Sequence, residues 1–151
     1  MNDTVNPSTG EVMNTMAEKT VIAMMSPQEL VDYEPVSPPE VEQMIQILSE
    51  RVVSAPGVIV DLYEKVHRAD EVYEGNFADQ MVAAADKGHN PTFARAIAKS
   101  RTKDELHQLN VAKEALRYAE ELQKGLTSKL YGYLNLNKGM IAAYNASGAR
   151  S

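Results

Sequence analysis

The sequence predicts an all-α protein: a long antiparallel helical hairpin, a shorter helix packed on it, and a flexible N-terminal tail. Three observations lead there. Apolar residues recur at helical spacing along two long segments. Between them, Lys87-Gly88-His89-Asn90-Pro91 supplies a glycine for the left-handed stop, an asparagine cap and a proline suited to a first helical turn. The two apolar stripes also match when the chain is folded about that turn.

Taken in order, residues 1–36 read as a tail. Pro7, Ser8 and Gly10 crowd into one turn-forming stretch. The apolar run TVIAMM (20–25) is compatible with a strand or a docking segment, and its periodicity does not choose. In SPQELVDYEP, Ser26 as cap, Pro27 at the first position and Glu29 at the third predict a short helix that Pro35 ends.

The hairpin domain spans 37–151. Ser37, Pro38 and Glu40 repeat the start signal, and Val41, Met44, Ile45 and Leu48 predict a helix over 39–53 that SAPG (54–57) breaks. A second helix over 56–86 follows from Ile59, Leu62, Val66, Ala69 and Tyr73, continued by Phe77, Met81 and Ala84. A third, over 91–137, carries Leu109, Ala112, Leu116, Ala119, Leu126, Leu130 and Tyr133 on one stripe. TKDE (102–105) reads as a second capping box, so a kink near Arg101 is expected.

In a hairpin centred on His89, Leu62 meets Leu116, Val66 meets Ala112, Ala69 meets Leu109 and Ile59 meets Ala119, so large residues tend to face small ones. That pairing runs out near Pro56. Leu126, Leu130 and Tyr133 then overhang, to be covered by the 39–53 helix folded back or by a second subunit. A homodimer or higher oligomer is therefore expected.

Composition narrows function by exclusion. The absence of Cys removes disulfides, thiolate metal sites and cysteine nucleophiles. No apolar run approaches the roughly 18 residues of a membrane span. The opening MNDTVNPSTGEVMNT lacks the basic and apolar regions of a signal peptide, so a cytoplasmic location is expected, that of the host cell if the chain is phage-encoded. No P-loop, HExxH or GxSxG pattern occurs, and no enzyme or cofactor is expected. Glu64-x-x-His67 and Asp104-x-x-His107 have the spacing of bundle metal ligands, but each lies off its apolar stripe and faces water. His89 belongs to the turn.

Charge is divided along the chain. Residues 1–90 carry 5 Lys and Arg against 16 Asp and Glu, whereas residues 91–151 carry 10 against 5. No acid follows Glu121, and beyond it Lys124, Lys129 and Lys138 alternate with Tyr131, Tyr133 and Tyr144 and with Asn135 and Asn137. Cations neutralise phosphates, tyrosine rings stack, and amides hydrogen-bond, so Lys124, Lys129, Tyr131, Tyr133, Asn137 and Lys138 form the candidate surface for a protein or nucleic-acid partner. The opposite candidate is the acidic band of Asp61, Glu64, Asp70, Glu71 and Glu74, continued by Asp79, which could imitate a DNA backbone in a basic groove.

The succession ADEVYEGNFADQM, FARAIAKSRT, LNVAKEALRYAEELQKGL and LNLNKGM, preceded by NPSTGEVM, resembles small helical-hairpin accessory proteins of bacteriophages. The resemblance implies a role in handling host machinery or phage DNA and transfers no residue roles. The function expected from it is non-enzymatic: binding a host protein complex, such as a defence or nuclease system, to inhibit or redirect it. The alternative is a small DNA-binding accessory of a phage recombination or replication module. A structural or assembly role in the virion is a third.

Overall fold

The computed structural model describes residues 21–148. After a helical turn at 21–24 come α1 (Pro27–Asp32), α2 (Pro38–Asp86), α3 (Pro91–Arg101) and α4 (Lys103–Gly148). The fold is all-α, with the long helices α2 and α4 packed against each other. Two compact units divide it, one from residues up to Ala55 with those from Leu122, the other Pro56–Glu121.

Local signals account for most helix ends. Ser26 and Glu29 close a reciprocal capping box: Ser26 N–H donates to Glu29 Oε2 at 2.6 Å and Glu29 N–H to Ser26 Oγ at 3.3 Å. The Ser26 backbone N–H, and after it the Ser26 hydroxyl, hold the Glu29 carboxyl below its usual range. At the hairpin turn Gly88 takes φ +79, and the N–H groups of Gly88 and His89 return to the carbonyls of Ala85 and Ala84. Asn90 Oδ1 then accepts from Phe93 N–H at 2.9 Å, with Pro91 in the first turn of α3.

Two local signals are overridden. SAPG does not break the chain, because α2 runs unbroken through Pro56. An interior proline forgoes the hydrogen bond to the carbonyl four residues back and costs on the order of 3 kcal/mol. Apolar packing of residues on either side, Met44 and Leu48 before and Ile59 and Leu62 after, sustains the helix. The TKDE capping box does not form, although the kink expected near Arg101 does occur, with α3 ending at Arg101 and α4 starting at Lys103. Thr102 is buried, and its Oγ1 donates back to the Ala98 carbonyl at 2.8 Å, marking the break between α3 and α4.

In the unit Pro56–Glu121, α2 packs antiparallel to α3 and α4. Ala84, Ala94, Ala98, Leu109 and Leu116 are buried, while Ile59, Leu62, Val66, Ala69 and Tyr73 are only half-buried. Polar side chains bridge the helices: Tyr63 to Glu120 at 2.9 Å, Asn76 to Glu105 at 2.9 Å, Arg101 to Gln80 at 3.0 Å.

The other unit has three layers. Ile22 and Leu30 cover a groove made by Val41, Met44 and Leu48 of α2 and by Leu126, Leu130 and Tyr133 of α4. Leu30, Met44 and Leu48 are wholly buried, each contributing about 1.5–3 kcal/mol by that burial. Gly125 lets the layers close, since a Cβ there would lie 3.3 Å from Val31 Cγ2.

The expectation of a tail over 1–36 is thus corrected for residues 21–36, which are part of a core. The stretch 1–20 lies outside the described residues. The apolar overhang of α4 is likewise met within the chain, by the uninterrupted N-terminal part of α2 and by residues 21–36 together.

Candidate partner-binding surface

The structure separates the candidate residues of α4 into two sets. Lys129 and Tyr133 turn inward. The Lys129 side chain is 11% exposed, and its Nζ donates to the carbonyls of Val31, at 2.6 Å, and of Tyr33, with the Glu34 carboxylate 3.5 Å away. The ammonium also lies 5.8 Å from the centre of the Tyr133 ring. Tyr133 is buried, and its hydroxyl donates to the Tyr33 carbonyl at 3.4 Å. Burial, reinforced by the negative charge of Glu34 and by Tyr33, pushes the Tyr133 phenol up to about 12. Both residues fasten residues 21–36 to the helices, which corrects their assignment to an exposed binding surface.

Two further residues, not singled out from the sequence, share that task. Arg51 Nη2 donates to the carbonyls of Ala23 at 3.3 Å and Met25 at 3.4 Å. Buried Glu40 accepts from Tyr33 Oη at 3.1 Å and from Val36 N–H at 2.8 Å. Glu40 had a signal in the sequence as a helix-start acid, but its partners depend on how the preceding segment folds back.

The second set stays outside. Tyr131 is 62% exposed, and Lys124 and Lys138 are exposed, with Asn137 half-buried. Leu136 at 50%, Ile141 at 53% and Tyr144 at 79% join them. At 100° per residue, Ser128, Gly132, Asn135 and Gly139 fall on one face of α4. A Cβ built on Gly132 or Gly139 meets nothing within 4 Å. This face is small and polar, flanked on opposite sides by Tyr131 and Leu136, whereas Ile141 and Tyr144 continue the phase of Leu130 and Tyr133; no acid occurs from Leu122 to Gly148.

The acidic band lies in the other unit. Asp61, Glu64, Glu71, Glu74 and Asp79 are exposed and Asp70 is half-buried. Arg68 interrupts it, 3.7 Å from Glu64. His67 and His107 are exposed, and among the described residues no cluster of three or more metal-ligating side chains is present. His107 lines an open cleft of about 470 Å³ with Leu62, Lys65 and Val111, whereas His89 rests edge-on against Phe93 at 4.8 Å.

Among the described residues no helix is long and apolar enough to cross a membrane. Protein-family models, curated proteins and solved structures show no match to this chain. The fold and surfaces define an all-α hairpin protein with a clamped N-terminal segment and an acid-free exposed stretch on α4.

Proposed function

We propose that the protein is a non-enzymatic binding protein of phage type that engages a host protein complex and inhibits or redirects it. Its working surface in this reading is the exposed part of α4 beyond Leu122. One observation carries the reading: Tyr131, Leu136, Ile141 and Tyr144 are exposed on a stretch without an acidic residue. Exposed aromatic and aliphatic side chains of this kind are the usual anchors of protein interfaces. The withdrawal of Lys129 into the fold favours a protein partner over nucleic acid, since Lys124 and Lys138 alone give a sparse cationic track.

The test is affinity capture from host lysate with the whole chain and with a Tyr131→Ala, Leu136→Asp variant. The expected result is one host complex retained by the parent and lost by the variant, at unchanged helicity. Equal capture by both would dismiss this surface. DNA binding in place of protein capture, weakening steeply with salt and with loss of Lys138, would establish the accessory of a recombination or replication module instead.

A further inference from the structure

Most polar contacts between residues 21–36 and the helices that carry them share a pattern. Arg51 donates to the carbonyls of Ala23 and Met25, Lys129 to those of Val31 and Tyr33, and the Tyr133 hydroxyl to that of Tyr33. In these bonds the helices supply side-chain donors and the segment main-chain acceptors; Glu40 reverses the direction at Tyr33 Oη and Val36 N–H, and Glu34 adds its carboxylate beside Lys129. Between these anchors Ile22 and Leu30 fill apolar positions against Met44, Leu48, Leu126 and Leu130. Main-chain anchoring combined with pockets for selected apolar side chains is how grooves bind peptides. We infer that the groove between α2 and α4 in this unit is a peptide-binding site, filled in cis by residues 21–36, and that its occupant in trans is the same segment of a second copy.

Two features of the chain point to that occupant. The groove already fits this segment, so the identical segment of another copy makes every contact again without a new interface being required. The connection between α1 and α2 also favours extension. Glu34 precedes Pro35 and Ser37 precedes Pro38, and a residue before proline is biased away from helical backbone toward extended conformations. Residues 33–36 carry no regular structure between α1 and α2. In this structure the connection returns α1 to its own groove, with Tyr33 and Val36 bonded to Glu40; straightened, the same residues would carry α1 to the groove of a neighbour. The inference does not rest on the exposed part of α4, and its failure would leave that reading untouched.

The absence of native Cys allows a direct test. A Cβ at position 125 lies 3.3 and 3.6 Å from the two Cγ atoms of Val31, so sulfurs placed at these positions are within bonding reach. Chains carrying Val31→Cys and Gly125→Cys separately, distinguished by size, are unfolded together, refolded at high concentration and oxidised. The expected product is a disulfide between the two chains, increasing with total concentration and at least tenfold above a Val31→Cys and Gly132→Cys control. A yield equal to the control overturns the inference. A second measurement avoids the single substitution at 125. The unsubstituted protein, followed by sedimentation across concentration, is expected to form dimer. The double variant oxidised in dilute solution, with the segment locked in cis, is expected to stay monomeric. A dimer that survives the lock, or an unsubstituted chain that stays monomeric throughout, overturns the proposal as well.

Discussion

Residues 56–121 and the unit built from residues 21–55 with 122–148 use the same two long helices but different numbers of layers. In the first, helix meets helix alone, and the apolar stripe of α2 from Ile59 to Tyr73 remains half-exposed. In the second, Ile22 and Leu30 form a lid over the stripe, and Leu30, Met44 and Leu48 lose all contact with water. Ion and hydrogen-bond clamps occur at the lid, through Arg51, Lys129 and Glu40, whereas the first unit relies on single side-chain bridges such as Asn76 to Glu105. A third layer, even one of a few turns, converts a wetted seam into a closed core.

The contrast is easiest to break by cavity formation. Leu48→Ala is expected to cost about 2–5 kcal/mol, because its surroundings are fully packed. Leu62→Ala, half-buried in the two-layer unit, is expected to cost at most about half as much. Urea denaturation of both variants measures the difference, and equal losses would mean that the third layer adds nothing.

Removing the clamp should have the next largest effect. Lys129→Met leaves carbonyls of Val31 and Tyr33 without a charged donor and is expected to cost about 1–3 kcal/mol. Hydrogen exchange should show faster exchange at the α1 amides, with residues 56–121 unchanged. Uniform acceleration across the chain would show that Lys129 is not specific to this layer.

Glycine substitutions sharpen the comparison on a smaller scale. Gly132→Ala is expected to stabilise by about 0.5–1 kcal/mol, since the added methyl meets nothing and Ala favours helix. Gly125→Ala should gain less or lose stability, because Val31 must move to admit it. Thermal unfolding of the pair distinguishes open helix from closed layer.

The narrowest effect concerns pH, since it is confined to alkaline solution. The Tyr133 phenol is raised to about 12 in the fold, above its ordinary value, chiefly by burial. Below about pH 10 both folded and unfolded forms keep the proton, and the contribution is complete. Between about 10 and 12 the unfolded chain ionises first, so stability falls as pH rises. Tyr133→Phe should flatten that fall. Tyr63 is also raised, by its hydrogen bond to the Glu120 carboxylate and then by the negative charge itself, and Tyr63→Phe serves as the comparison.

Which features were legible follows from the range of the forces that set them. The Gly88–Asn90–Pro91 stop and the Ser26–Glu29 box rest on neighbours within a few residues, and the sequence displays them directly. Pro56 misleads for the same reason: a local breaker is outweighed by packing along the helix that contains it. The lid is illegible because its anchors are remote. Lys129 and the Tyr33 carbonyl lie 96 positions apart, and nothing in TVIAMMSPQELVDYEP marks it as the partner of a distant lysine. The candidate surface was half legible accordingly. Aromatic and basic residues beyond Glu121 were visible as a group, but helical phase against an unforeseen layer decided that Tyr131 faces out and Tyr133 faces in.

Arg51, Lys129 and Tyr133 hold the segment by carbonyl groups, which every amino acid carries. Mutation at Gln28 or Asp32 can therefore accumulate with little loss of attachment, provided that Ile22, Leu30, the Tyr33–Glu40 and Glu34–Lys129 contacts and the close approach at Gly125 persist. Descendants of this chain could change those positions while the segment still closes their core. Retention of a lysine and an arginine on the long helices would be the more durable trace of common ancestry.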